Sequence, residues 1–130
     1  MSHHREIVTA EGAPEALGPY SHAVKSNGLL FCSGQIPIDP ATGELVEGEA
    51  RIQARQCLVN LQTVCEAAGA ELADAVRTTV WLRDMGAWGG VNEVYAEFFE
   101  SDPPARVAIA VAALPKGADV EIDAIVALPG

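Results

Sequence analysis

The sequence predicts an α+β domain, one mixed sheet with two helices packed on a single face. Three observations carry that expectation. The 130 residues suit a single domain over positions 1–130, because domains most often run about 100–150 residues. Short apolar runs rich in β-branched residues stand toward both ends of the chain. Between them, two stretches repeat apolar residues at helical spacing. The element order is β-β-β-α-β-α-β-β.

Ile7-Val8-Thr9 reads as a first strand, followed by a loop from Glu11 to Pro19. Ala23-Val24-Lys25 and Leu29 to Ser33 flank Ser26-Asn27-Gly28. Asn-Gly between two apolar runs signals a hairpin, since both residues tolerate the positive φ of a type I′ turn. Gln35 to Gly48, with Pro37, Pro40, Gly43 and Gly48, reads as a loop. Glu49 to Ala68 reads as a helix whose inner face is Ala54, Cys57/Leu58, Leu61, Val64/Cys65 and Ala68. Gly69 is placed to end it in the left-handed conformation. Asp74 opens a strand over Val76–Leu82, and a second helix is expected over Gly90–Glu100. Asp102-Pro103-Pro104 stops that helix. Arg106 then begins the apolar run Val107–Leu114, and Pro115-Lys116-Gly117-Ala118 turns the chain into a last strand, Asp119–Leu128.

The strand pattern makes a first functional statement. A sheet covered by helices on one side should alternate polar and apolar residues if its other side faces water. Val107–Leu114 and Leu29-Leu30-Phe31-Cys32 do not alternate. The helix-free face is therefore expected to be buried against other copies of the chain.

Composition excludes several functions. Eight Lys+Arg against eighteen Asp+Glu leave a net charge of −10, which repels phosphate backbones and anionic lipid. Nucleic acid and membrane are not expected partners. The three cysteines suit a reducing compartment. Cys57 and Cys65 fall on one helix ~12 Å apart, too far for a disulfide, and Cys32 has no obvious partner. No apolar stretch approaches the ~20 residues of a membrane span, and the polar start Met-Ser-His-His-Arg-Glu leads into no signal core. The expected location is cytoplasmic. Gly86-Ala87-Trp88-Gly89-Gly90 lacks phosphate-loop spacing, and Ser33 lies outside any nucleophile elbow. With His22 alone outside the terminal His3-His4 pair, neither a catalytic metal site nor a serine triad is expected.

Arg106 stands out. It follows Pro-Pro-Ala, which fixes the backbone, and it is one of few cations in an acidic chain. A rigidly held guanidinium matches a carboxylate, whether that belongs to a ligand or to the protein itself. In Val120-Glu121-Ile122-Asp123-Ala124 the two acids share one face of a strand, a pattern that fits a solvated edge as well as a reacting site.

Eight stretches running in order over nearly the whole chain resemble the Rid family of reactive-intermediate deaminases, also described as endoribonuclease L-PSP. They are Gly18-Pro19-Tyr20-Ser21-His22-Ala23-Val24, Ser33-Gly34-Gln35-Ile36-Pro37, Gln53-Ala54-Arg55-Gln56-Cys57-Leu58-x-Asn60 and Thr78-Thr79-Val80-Trp81. Val91-Asn92-x-x-Tyr95-x-x-Phe98-Phe99, Pro104-Ala105-Arg106, Leu114-Pro115-Lys116-Gly117 and Val120-Glu121-Ile122-Asp123-Ala124-Ile125 complete the set.

The resemblance implies a chorismate-mutase-like fold and a homotrimer with clefts between subunits. It also implies cofactor-free hydrolysis of 2-imino acids and their enamine tautomers, 2-iminobutanoate and 2-iminopropanoate, to 2-keto acids and ammonia. By the same resemblance Arg106 clamps the substrate carboxylate and Glu121 holds the attacking water and relays protons. Tyr20 lines the cleft from the neighbouring subunit, Ser33 and Gly34 border the pocket, and Asn92 lies near the cleft or serves helix capping or packing. Familiar members carry Cys two residues after the arginine, where this chain has Ala108; the resemblance implies that the backbone carbonyl at this position, rather than the thiol, helps place the water. His22 replaces a common Gln, Asp123 shortens a Glu by one methylene, and Trp81 stands where smaller aromatics are usual. A non-catalytic keto-acid-binding or regulatory, chaperone-like role would use the same arginine without a proton relay. An endoribonuclease would need the basic surface this chain lacks.

Overall fold

A computed structural model describes residues 4–130; His3 lies outside them. A six-stranded sheet forms in the spatial order β1-β2-β3-β8-β6-β7. Its strands are β1 (Glu6–Val8), β2 (Ala23–Ser26), β3 (Leu29–Gln35), β6 (Ala75–Leu82), β7 (Ala105–Ala110) and β8 (Val120–Ala127). Neighbours are antiparallel except β6 and β7, which run parallel. Helices α1 (Ala50–Ala67) and α2 (Trp88–Phe98) pack on each other and cover one face. The chain is a mixed α+β domain, as its element order predicts.

Local signals place the elements where expected. Asn27 and Gly28 take φ of 52° and 79°, which matches the twist of the β2–β3 hairpin. Gly69, at φ 77°, follows the end of α1. The helical stripe becomes core: Leu58, Leu61 and Val64 are fully buried against Leu30, Val80, Ile122 and Val126 of the sheet. Cys32, Cys57 and Cys65 are buried free thiols. The neighbouring Cys65 thiol, and then burial, push the Cys32 thiol up.

Three segments differ from expectation. Gln35–Gly48 is not a plain loop: β4 (Ile38–Asp39) and β5 (Glu44–Leu45) form a small hairpin. Buried Asn60 on α1 holds its base by donating to the carbonyls of Ile38 (2.9 Å) and Ile36 (3.4 Å). Helix α2 starts at Trp88, because the Asp84 carboxylate accepts from Gly86 N–H at 2.8 Å and a short 3₁₀ turn over Met85–Ala87 feeds the helix. Strand β7 stops at Ala110 rather than Leu114. Its partner β6 ends at Leu82, whose carbonyl takes a last bond from Val111 N–H at 2.8 Å.

The helix-free face carries large exposed apolar side chains: Phe31, Val107 and Ile109 remain 43%, 40% and 44% exposed in the single chain. No described helix is long and apolar enough to cross a membrane.

Candidate active site

The site residues fall into two groups on opposite faces of the sheet. The first surrounds a hollow of about 490 Å³ lined by Leu17, Tyr20, Ser33, Gly34, Ile36, Pro115 and Glu121. A β-bulge builds it. Cys32 pairs with Ala124 and Gln35 with Ile122, so Ser33 and Gly34 together oppose Asp123 alone. Ser33 is fixed there, its hydroxyl donating to Ser21 O at 2.6 Å and its N–H to His22 O at 3.0 Å. At Gly34 a Cβ would overlap the Glu121 carboxylate; the missing side chain lets that carboxylate lie against the bulge.

Glu121 is half-buried. Its carboxyl is held above the ordinary carboxylate range, first by burial and then by the neighbouring charge of Asp123. Both desolvation and a like charge disfavour the anion. Asp123 accepts hydrogen bonds from Thr79 N–H (3.1 Å) and Trp81 Nε1–H (3.4 Å). Tyr20 is aimed by its own loop: Leu17 N–H donates to the phenolic oxygen at 3.0 Å, leaving the hydroxyl proton for a ligand. Buried His22 ties that loop to the sheet. Its Nδ1 accepts from Ala10 N–H and its Nε2 donates to Pro14 O, both at 2.8 Å. An amide can only donate, so the ring carries its proton on Nε2.

The second group sits on the helix side. Arg106 pairs in register with Thr78, whose hydroxyl bonds Tyr95 of α2 at 2.6 Å. Arg106 Nη1 donates to Asn92 Oδ1 at 2.8 Å. The guanidinium lies between the rings of Trp88 and Tyr95, 4.5 and 4.7 Å from their centroids. Stacking and one hydrogen bond fix the plane of the fork while most of its five donors stay unused. Ala108, two residues on, faces the same side and packs on the core.

The two groups do not meet within one chain. Arg106 pairs with Thr78, Thr78 with Ala124, and Glu121 lies three residues from Ala124. Two strand spacings and three residues separate them by roughly 14 Å, with the sheet between. Tyr20 is thus grouped with Ser33, Gly34 and Glu121, and Asn92 with Arg106. Sequence reasoning missed Leu17, Ile36 and Pro115 as lining residues, although each lies in or beside a quoted stretch. It also missed the Trp88–Tyr95 sandwich, for which helical spacing offers only a core reading.

Among the described residues no three His, Cys, Asp or Glu side chains converge as a metal site would require. Three conspicuous motif residues do structural work: His22 and Asn60 as above, and Gln53, whose Oε1 accepts from Asp119 N–H at 2.8 Å.

Comparison with known proteins agrees with this arrangement of elements. Residues 10–128 match the family model described as endoribonuclease L-PSP. A RutC family protein of Pyrococcus horikoshii is 50% identical over 93% of this chain and 96% of its own. The mouse 2-iminobutanoate/2-iminopropanoate deaminase is 46% identical over 93% of this chain and 90% of its own. A solved Yersinia pestis member of the conserved Rid protein family superposes with a TM-score of 0.93 at 42% identity, covering 96% of this chain and 100% of that one. The chain belongs to the Rid, or endoribonuclease L-PSP, family.

Proposed function

We propose that the protein hydrolyses reactive 2-imino acids and their enamine tautomers, chiefly 2-iminobutanoate and 2-iminopropanoate, to 2-keto acids and ammonia. The observation that carries this reading is Glu121, a half-buried carboxyl with a raised pKa facing a hollow sized for a small organic acid. A relative of deaminase name at 46% identity supports it. The working site lies at the seam of a homotrimer: Arg106, Asn92 and Ala108 of one copy face Tyr20, Ser33, Gly34 and Glu121 of the next. The exposed Phe31, Val107 and Ile109 supply the apolar face that such an assembly buries.

The chemistry follows from the residues. Arg106 grips the substrate carboxylate with its free donors and fixes the C=N carbon in one orientation. Ionised Glu121 takes a proton from water as the water oxygen bonds to that carbon and the C=N pair moves to nitrogen. It then returns the proton to the nitrogen of the carbinolamine. The C–N bond breaks, the carbonyl forms, and the hydroxyl proton passes to the departing nitrogen, which leaves as ammonia. A carboxyl whose pKa is raised by burial can serve first as base and then as acid. The C=N carbon is already electrophilic, so the step calls for no cofactor. The net charge of −10 gives RNA no electrostatic footing here.

The test couples serine or threonine dehydratase to the protein and follows pyruvate or 2-ketobutyrate release. Arg106→Ala is expected to lose turnover and 2-ketobutyrate binding together, whereas Glu121→Ala keeps binding and loses turnover. Turnover indifferent to Glu121 would count against its relay role, and wild-type protein that binds 2-ketobutyrate without accelerating keto-acid release would leave keto-acid binding without catalysis as the function.

A further inference from the structure

The deaminase reading uses Glu121 and leaves Asp123 and Trp81 without a task. We infer that Asp123 and Trp81 are a positioning pair for Glu121, in which Trp81 pins a second fixed negative charge on the same strand face, two residues from the reacting carboxyl. The inference rests on the deaminase reading and specifies how its relay is tuned.

Alternate residues of β8 are buried from Val120 to Val126, so Glu121 and Asp123 both project from the helix-free face, about 7 Å apart along the strand. Trp81 pairs in register directly with Glu121, yet its indole N–H reaches diagonally to Asp123 Oδ2 at 3.4 Å. Thr79, which pairs with Asp123, gives its backbone N–H to the other oxygen at 3.1 Å. Each oxygen of Asp123 therefore has its own donor, an arrangement suited to a carboxylate anion held in one place. The aspartate is a short acid, and a long indole donor meets it.

The other groups around Glu121 are uncharged: Ser33 and Gly34 of β3, Tyr20 of the preceding loop, Pro115 and Trp81. Cys57 of α1, beneath the sheet, is a thiol pushed up by its own burial. Arg77 of β6 lines a hollow with Asp123, Thr79 and Phe31. In the proposed trimer the adjoining copy's Arg106 also faces Glu121, equally in every variant compared below. Asp123 is the second cause, after burial, of the raised Glu121 carboxyl. A fixed charge at that distance favours the protonated carboxyl, which must keep the proton from water until the nitrogen can take it.

The experiment measures the pH profile of kcat/KM and, separately, the titration of the Glu121 carboxyl by ¹³C NMR. Wild type, Asp123→Asn, Asp123→Glu and Trp81→Phe are compared. Asn keeps the shape and removes the charge. Glu121 should then ionise at lower pH, so on the acid limb D123N turns over about threefold faster than wild type. D123E restores the wild-type limb, and W81F falls between wild type and D123N. If D123N does not fold, W81F carries the test at smaller amplitude. A limb and a titration that stay put in the folded variants overturn the inference while leaving the deaminase reading intact. Wild-type protein that gives no acceleration of keto-acid release defeats the deaminase reading instead, and the NMR titration still reports whether Asp123 acts on Glu121.

Discussion

A single methyl group added at Gly34 tests the site more sharply than removal of any side chain. Gly34 is absent from the residues with positive φ, so alanine fits its backbone. The added carbon would overlap the Glu121 carboxylate and stand 3.0 Å from its Cδ and 3.3 Å from its Cγ. Ordinary carbon contacts lie at ~3.5–4.0 Å, so the carboxyl group must retreat by about 1 Å. That group is the end of a flexible side chain, and swinging it aside costs about 0.5–1.5 kcal/mol. The fold should survive, with Tm lowered by a few degrees at most. Catalysis should not, since a misplacement of about 1 Å costs on the order of 10²-fold, or roughly 2.7 kcal/mol of barrier. The dehydratase-coupled assay reads turnover, circular dichroism reads the melt, and 2-ketobutyrate titration shows whether the clamp still binds. Gly34→Ala turning over within threefold of wild type would refute the placement of Glu121 as the reacting group.

Three further outcomes follow from the same geometry. Because the Glu121 carboxyl is raised in the folded chain, its contribution to stability is present below the ordinary carboxylate range and is lost as pH rises through the folded value. Glu121→Gln should therefore melt higher than wild type at pH 7, with the gain vanishing below about pH 4 in a pH series of melts. His22→Ala strands Ala10 N–H and Pro14 C=O; at about 1–3 kcal/mol per buried orphan it should lower Tm by roughly 10 °C, and turnover should fall as the Tyr20 loop loosens. Val107→Asp puts a charge into the exposed apolar face and should give a folded monomer by sedimentation, with turnover lost.

How much could be read from residues alone depended on how local each cause is. Asn27-Gly28 and Gly69 act through their own φ angles, and both mark their turns correctly. The α1 stripe repeats over several turns, and its apolar positions are the core. The β4–β5 hairpin was hidden because each strand has two residues and its anchor, Asn60, lies on α1 far along the chain. The glycines beside Trp88 disguised the start of α2, which a cap at Asp84 settles. Arg106 was legible from the rigid Pro-Pro-Ala ahead of it in an acidic chain, whereas the roles of Glu121 and Tyr20 came through a family resemblance, which says nothing about sides of a sheet. Their division between faces follows from strand register, fixed by long-range pairing. The bulge at Ser33–Gly34 was equally invisible, since a mismatch of one residue between two strands exists only once both strands are paired.

The placement of Arg106 and Glu121 on opposite faces bears on how defective copies behave in mixtures. A cleft assembled from two chains can be whole even when neither chain is. Arg106→Ala and Glu121→Ala protomers, each inert alone, should regain activity when unfolded and refolded together. In a cyclic assembly with random mixing, about a quarter of the clefts receive an intact arginine from one copy and an intact glutamate from the next.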